Sequence, residues 1–166
     1  MAFYQIISEQ YLKASPAEAW AFLSDPRNLQ LITPGHMKFT ILGGAERAMF
    51  PGQVIRYKVS PFPGVRTSWV TEITHVREGE YFVDEQRFGP YRFWHHKHFI
   101  SPVEGGVLMR DVVDYMLPLG PLGALAHGLV VRKQLLGIFR YREAALDKRF
   151  GSLPGQPATL SLTKLP

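Results

Sequence analysis

The sequence contains no cysteine. That excludes disulfides, thiolate metal centres and cysteine nucleophiles, and leaves His, Asp and Glu to build any metal site. Long apolar runs are also missing. The longest uncharged stretch in the middle of the chain, YMLPLGPLGALAHGLVV, is broken by two prolines and three glycines, so stable membrane insertion is not expected. Met1 leads straight into the strand-like FYQII, with no basic region ahead of an apolar one; no export signal is read, and the expected location is cytoplasmic. There is no internal repeat, no Gly-x-Ser-x-Gly turn for a nucleophilic serine, and no glycine loop with phosphate-site or dinucleotide-site spacing. The formal net charge is +5, but the Lys and Arg residues are scattered. Without a basic stripe interleaved with exposed aromatics, nucleic acid is not an expected partner.

What is present fits one globular domain. The chain has 166 residues, of which 46% are hydrophobic and 20% charged, enough to bury one core and too few for two ordinary ones. SPAEAWAFLSDP carries a complete helix start: Ser15 to cap, Pro16 at the first helical position and Glu18 to close a capping box. Trp20 and Leu23 face inward, and Pro26 stops the helix. RNLQLI adds a second short helical piece that ends at TPG.

From about residue 36 to 117 the periodicity changes to two, with turn signals at Gly43–Gly44, PFPG (61–64), EGE (78–80) and EGG (104–106), predicting about six antiparallel strands. After Pro118 and Pro121 a long helix is predicted. Its stripe is read as Leu125, Leu129, Leu136, Phe139, Leu146 and Phe150, with Gly151 as the stop. Residues 152–166, rich in Pro, Gly, Ser and Thr, read as a tail beyond a domain spanning 1–151.

The order of one strand, two short helices, six more strands and a terminal helix, together with ASPAEAWAFLSDPRNLQLITP, resembles the START-like or birch-pollen-allergen-like (SRPBCC) superfamily. FVDEQRFGPYRFWHHKHF and RDVVDYMLPLGPLG resemble one bacterial branch of it, whose members are ligand-binding or cyclase/dehydrase-like. The resemblance covers roughly residues 3–150. It implies an α+β helix-grip fold, with a curved antiparallel sheet of about seven strands wrapped around a long C-terminal helix. It also implies an internal cavity for an apolar, lipid-like or amphipathic small molecule, whose mouth Pro118–Gly123 would border.

Strand register decides which residues reach such a cavity. Arg56 and Lys58 belong in water, which turns Gln53, Ile55, Tyr57 and Val59 inward; by the same argument Arg66 and Glu72 turn Thr67, Trp69, Thr71 and Ile73 inward. Glu85 and Arg87 read as an outer face, placing Phe82, Asp84 and Gln86 inside. Lys97 leaves Trp94, His96 and His98 on the opposite face. A three-residue loop or bulge at Gly89–Pro90 would align these two sets, whereas a strict two-residue turn would pair Asp84 with His95. Asp111 and Tyr115 complete the inner set, and Arg132 and Glu143 fall within the helical stripe. The candidate ligand-binding residues are therefore Tyr57, Trp69, Thr71, Phe82, Asp84, Gln86, Trp94, His96, His98, Asp111, Tyr115 and Arg132.

So many inward polar groups call for partners, water or a ligand, since an unpaired buried polar group costs about 1–3 kcal/mol. The principal reading is a carrier or sensor that binds its molecule non-covalently. The alternative is a cofactor-independent cyclase, dehydratase or isomerase on a polyketide-like or aromatic substrate, with His96 or His98 as base and Asp84 or Asp111 orienting it. His96-x-His98 with Asp84 or Asp111 lacks diagnostic spacing for an ion, so no metal and no cofactor is expected. His36, His75 and His127 read as surface or boundary residues. A homodimer is left open.

Overall fold

The computed structural model describes residues 2–166 except Pro63, so the centre of the expected PFPG turn lies outside the described residues, as does Met1. Among the described residues, eight strands form one antiparallel sheet: β1 (Phe3–Leu12), β2 (Thr40–Gly43), β3 (Gln53–Phe62), β4 (Val65–Arg77), β5 (Tyr81–Phe88), β6 (Phe93–Val103), β7 (Gly106–Met116) and β8 (Thr159–Lys164). Their order is β2-β3-β4-β5-β6-β7-β1-β8. Between β1 and β2 lie helix α1 (Pro16–Leu23) and two 3-10 turns, Pro26–Ile32 and Gly35–Met37. The Ser15 side chain accepts from the Glu18 N–H while a Glu18 carboxylate oxygen accepts from the Ser15 N–H at 2.9 Å, so the capping box forms as expected.

After β7 comes one continuous helical stretch from Gly120 to Phe150: α2 (Gly120–Ala126), a π-turn (His127–Val131) and α3 (Arg132–Phe150). By length and composition it is apolar enough to cross a bilayer, contrary to the broken run the prolines suggested, because both prolines precede its second turn. In this fold, however, Val131, Leu135, Phe139 and Leu146 are buried within the domain.

The predicted stripe is rotated. Leu125 and Leu129 are 61% and 71% exposed, and the buried face of α3 is Leu135, Phe139, Arg142 and Leu146. The π-turn supplies the reason. Its wider turn holds an extra residue, so leucines before it and side chains after it cannot share one 3.6-residue stripe. The same turn buries His127, expected on the surface, where its Nε2 lies 2.8 Å from the Tyr115 hydroxyl and its ring stacks on Tyr4.

The segment read as a tail is also different. TLSLTK forms β8 and pairs with β1 from Tyr4↔Lys164 to Glu9↔Thr159, burying Leu162. Without it β1 would be an open sheet edge. The Pro/Gly-rich residues before it are the connection, and their composition conceals a short alternating strand.

The apolar interior does not merge into one mass. One cluster gathers Leu12, Phe22, Phe82, Ile100 and Leu146; a second Tyr4, Ile6, Val113, Leu135 and Phe139; a third Ile55, Tyr57, Val59 and Ile73. All three contribute walls to a cavity between the sheet and α3.

Candidate functional site

The cavity has a volume of about 190 Å³, well beyond the water-sized voids of ordinary packing. Its apolar lining includes Phe22, Leu29, Met37, Phe39, Val59, Ile73, Phe82, Leu135 and Phe139. One wall is aromatic. Trp69 meets Trp94 edge-on with ring centroids 5.3 Å apart, and Tyr91 packs against both. Tyr57 contributes its hydroxyl, kept protonated because burial raises its pKa.

Register brings the polar residues together. The β5–β6 ladder pairs Asp84 with His96 and Phe82 with His98, and leaves Glu85 opposite His95 on the outer face. The loop alignment is therefore the one that places Asp84 and both inner histidines on the same side. Across the other edge of β6, His98 pairs with Asp111 on β7. Two histidines at alternate strand positions thus stand between two carboxylates on neighbouring strands, their ring centroids 3.7 Å apart. On the outside, Arg87 pairs with Glu72 at 2.6 Å and Glu85 at 3.1 Å, which holds the charged face in water.

The contacts within this cluster are specific. His98 reaches Asp84 Oδ2 with Nε2 at 2.9 Å and Asp111 Oδ1 with Nδ1 at 2.7 Å. His96 places Nε2 3.2 Å from Asp111 Oδ1 and Nδ1 3.6 Å from Asp84 Oδ2. Thr71 Oγ1 lies 3.5 Å from Asp84 Oδ1. From above, Arg142 of α3 meets Asp111 side-on, with Nη2 3.3 Å from Oδ1 and Nε 3.2 Å from Oδ2. The Nε–H is turned too far off the Oδ2 direction to make a full hydrogen bond. His96, His98, Asp111 and Arg142 are each under a tenth exposed.

Burial and charge settle the protonation pattern. Burial, reinforced by the His98 charge, pushes His96 down to about 4, so it is neutral near pH 7. Burial also pulls His98 down, but the charge and hydrogen bond of Asp111 and the hydrogen bond to Asp84 outweigh it, and its pKa stands above the ordinary value. Burial would raise both carboxyls, yet Asp84 is lowered, chiefly by the hydrogen bond from His98, and Asp111 is held well below its usual range, chiefly by Arg142. Arg142 and His98 then balance Asp84 and Asp111, and an electroneutral, hydrogen-bonded set is the form in which buried charges survive.

Of the candidates named from sequence, Tyr57, Trp69, Thr71, Phe82, Asp84, Trp94, His96 and His98 line the cavity. Asp111 sits behind the histidines rather than on the cavity wall. Tyr115 is engaged with His127. The Gln86 side chain is taken up by the Tyr91 backbone, donating to its carbonyl at 2.7 Å. Arg132 does not enter the site: it is exposed, at the start of α3. The helical cation that does enter is Arg142, which sequence reasoning missed because the stripe was anchored on Leu125 and Leu129, across the π-turn. The Leu135–Phe139–Arg142–Leu146 spacing was the available signal. Tyr91 and Phe39 were missed as well, since loops carry no register, and Gln134 of α3, read on the helix's polar side, also lines the cavity.

Comparison with known proteins agrees with the architecture. Among curated proteins no sequence matches. TTHA0849 from Thermus thermophilus is similar in structure, with a TM-score of 0.67 at 16% identity over 87% of this chain and 95% of that one. Ara h 8.0201 has a TM-score of 0.58 at 17% identity over 88% and 99%. The di-domain ARO/CYC protein StfQ from the steffimycin biosynthetic pathway has a TM-score of 0.62 at 12% identity, over 89% of this chain and 52% of that one. These likenesses show a shared START-like, helix-grip fold. The family described as polyketide cyclase / dehydrase and lipid transport matches residues 12–136, three quarters of the chain, and the protein belongs to it.

Proposed function

We propose that this protein binds one small apolar or amphipathic molecule non-covalently within the sheet–helix cavity, as a cytoplasmic carrier or sensor. The observation that carries this reading is a mostly apolar cavity into which Asp84, His96 and His98 project as one group. Trp69, Trp94 and Phe82 offer flat apolar area for the body of the ligand. Tyr57, Thr71, Asp84 and His96 offer hydrogen bonds to its polar end. The family supports ligand binding or cyclase-like chemistry in general, and the cavity supports the first without requiring the second. Native mass spectrometry of protein isolated from its own cells tests it. The expected spectrum carries a single additional small-molecule mass that leaves on acid denaturation; an unliganded mass from protein that also takes up no apolar probe would contradict it.

One observation favours a second reading, a cyclase, dehydratase or isomerase. His96 and His98 are adjacent, with pKa values driven in opposite directions, so one site holds a neutral imidazole beside an imidazolium, the arrangement that supplies base and acid together. With the bound molecule in hand, His96→Gln and His98→Gln separate the readings. Turnover lost with binding kept indicates the enzyme, and binding lost without any turnover indicates the carrier.

A further inference from the structure

The contacts of Asp111 leave one nitrogen of each inner histidine turned the same way. Asp111 Oδ1 accepts from His96 Nε2 at 3.2 Å and pairs with His98 Nδ1 at 2.7 Å, a nitrogen that Arg142 Nη2 also approaches to 3.3 Å. The remaining nitrogens, His96 Nδ1 and His98 Nε2, both face Asp84 Oδ2, at 3.6 and 2.9 Å. The three residues present ligand atoms that all lie within 4.8 Å of one another. Atoms coordinating one tetrahedral ion at about 2.0–2.2 Å stand about 3.3–3.6 Å apart, a range reached by the 3.6 Å separation from His96 and approached by the 2.9 Å one from His98. A carboxylate fixing the far nitrogen of each histidine, itself anchored by a cation, is the outer arrangement that orients metal-binding imidazoles. Asp111, anchored by Arg142, has that form, and it lies behind the histidines while Asp84, His96, His98 and Arg142 line the cavity.

We infer that Asp84, His96 and His98 form a binding site for a divalent transition-metal ion of the zinc type, with one coordination position open to the apolar cavity. Two imidazoles and one carboxylate are a ligand set that zinc and its first-row neighbours accept, and an open fourth position distinguishes a working site from a purely structural one. With a dication bound, the ion and Arg142 together outweigh the Asp84 and Asp111 carboxylates by one positive charge. The open position therefore suits hydroxide or an anionic oxygen, such as a carboxylate or enolate on the cavity's ligand. Only this last step rests on the ligand-binding reading above; the site itself rests on the three side chains.

The test uses the full-length protein stripped with chelator, Co2+ as spectroscopic probe and Zn2+ as competitor. The expected result is one Co2+ per chain with ligand-field absorption, displaced by Zn2+. Quenching of Trp94, whose ring centroid is 6.1 Å from that of His96, should accompany it. His96→Gln should weaken binding at least about 100-fold, whereas His95→Gln on the outer face leaves it unchanged. Should His96→Gln fail to fold, Cu2+ bound to the wild type should show nitrogen hyperfine coupling from two imidazoles. No bound Co2+, binding that His95→Gln abolishes, or coupling from fewer than two imidazoles would overturn the site. Apolar-probe binding measured on the same stripped protein separates this failure from failure of the cavity reading.

Discussion

Asp111 occupies the centre of the cluster. It is 2% exposed and has His96, His98 and Arg142 around it. Asp111→Asn keeps the shape but leaves two buried cations facing one remaining carboxylate. The expected loss is about 3–5 kcal/mol of unfolding free energy, the cost of breaking a buried pair from one side; urea denaturation measures it, and a loss below about 1 kcal/mol would mean the charges are not coupled. Replacing Asp111 and Arg142 together by apolar residues of similar volume should recover most of that loss. The histidines give the stability a characteristic pH profile. His96, with its folded pKa depressed to about 4 from 6.5, takes up its proton in the unfolded chain first, so its contribution rises between pH 4 and 6.5. His98, with its folded pKa raised above 6.5, contributes stability that is complete below 6.5 and lost as pH climbs through the folded value. Stability should therefore pass through a maximum near pH 6–7. His98→Gln should abolish the alkaline decline and His96→Gln should flatten the limb between 4 and 6.5; a wild-type profile flat from 4 to 9 would contradict the assigned protonation.

Among the elements, β8 and the terminal helix carry the clearest consequences. Ending the chain after residue 157 removes the strand that covers β1, uncovers the Leu160 and Leu162 contacts and leaves a row of unpaired backbone groups. Such a truncation should lower Tm by several degrees and shift the protein toward dimers or aggregates on size exclusion; an unchanged melting profile would make β8 incidental. These two elements are also where the sequence was least legible. Alternation over charged and apolar residues located β3 to β7 and set their faces, because Arg56, Lys58, Glu85, Arg87 and Lys97 each require water on a known side. Nothing comparable marks a π-turn, whose extra residue changes the phase of a helix without changing its composition. The error cost Arg132 its place in the site and hid Arg142 and His127. For the tail, the Pro/Gly content of the connection outweighed six residues of real strand. The inner polar set was visible because a two-residue period is stiff; the partners each member chose depended on neighbours far along the chain, 31 residues for Arg142 and Asp111.

Across the whole molecule, the apolar interior falls into three clusters around a cavity between the sheet and α3, and Asp84, His98 and Arg142 stand at that cavity's wall with Asp111 behind them. The most direct test of this account is titration of the folded protein with an environment-sensitive apolar dye, read by energy transfer from the tryptophans. It is set beside Ile138→Trp, which fills the space from its α3 wall. The account predicts saturable one-to-one binding by the wild type and at least about a tenfold loss of affinity in the variant. No binding by the folded wild type, or equal binding by both proteins, would contradict it.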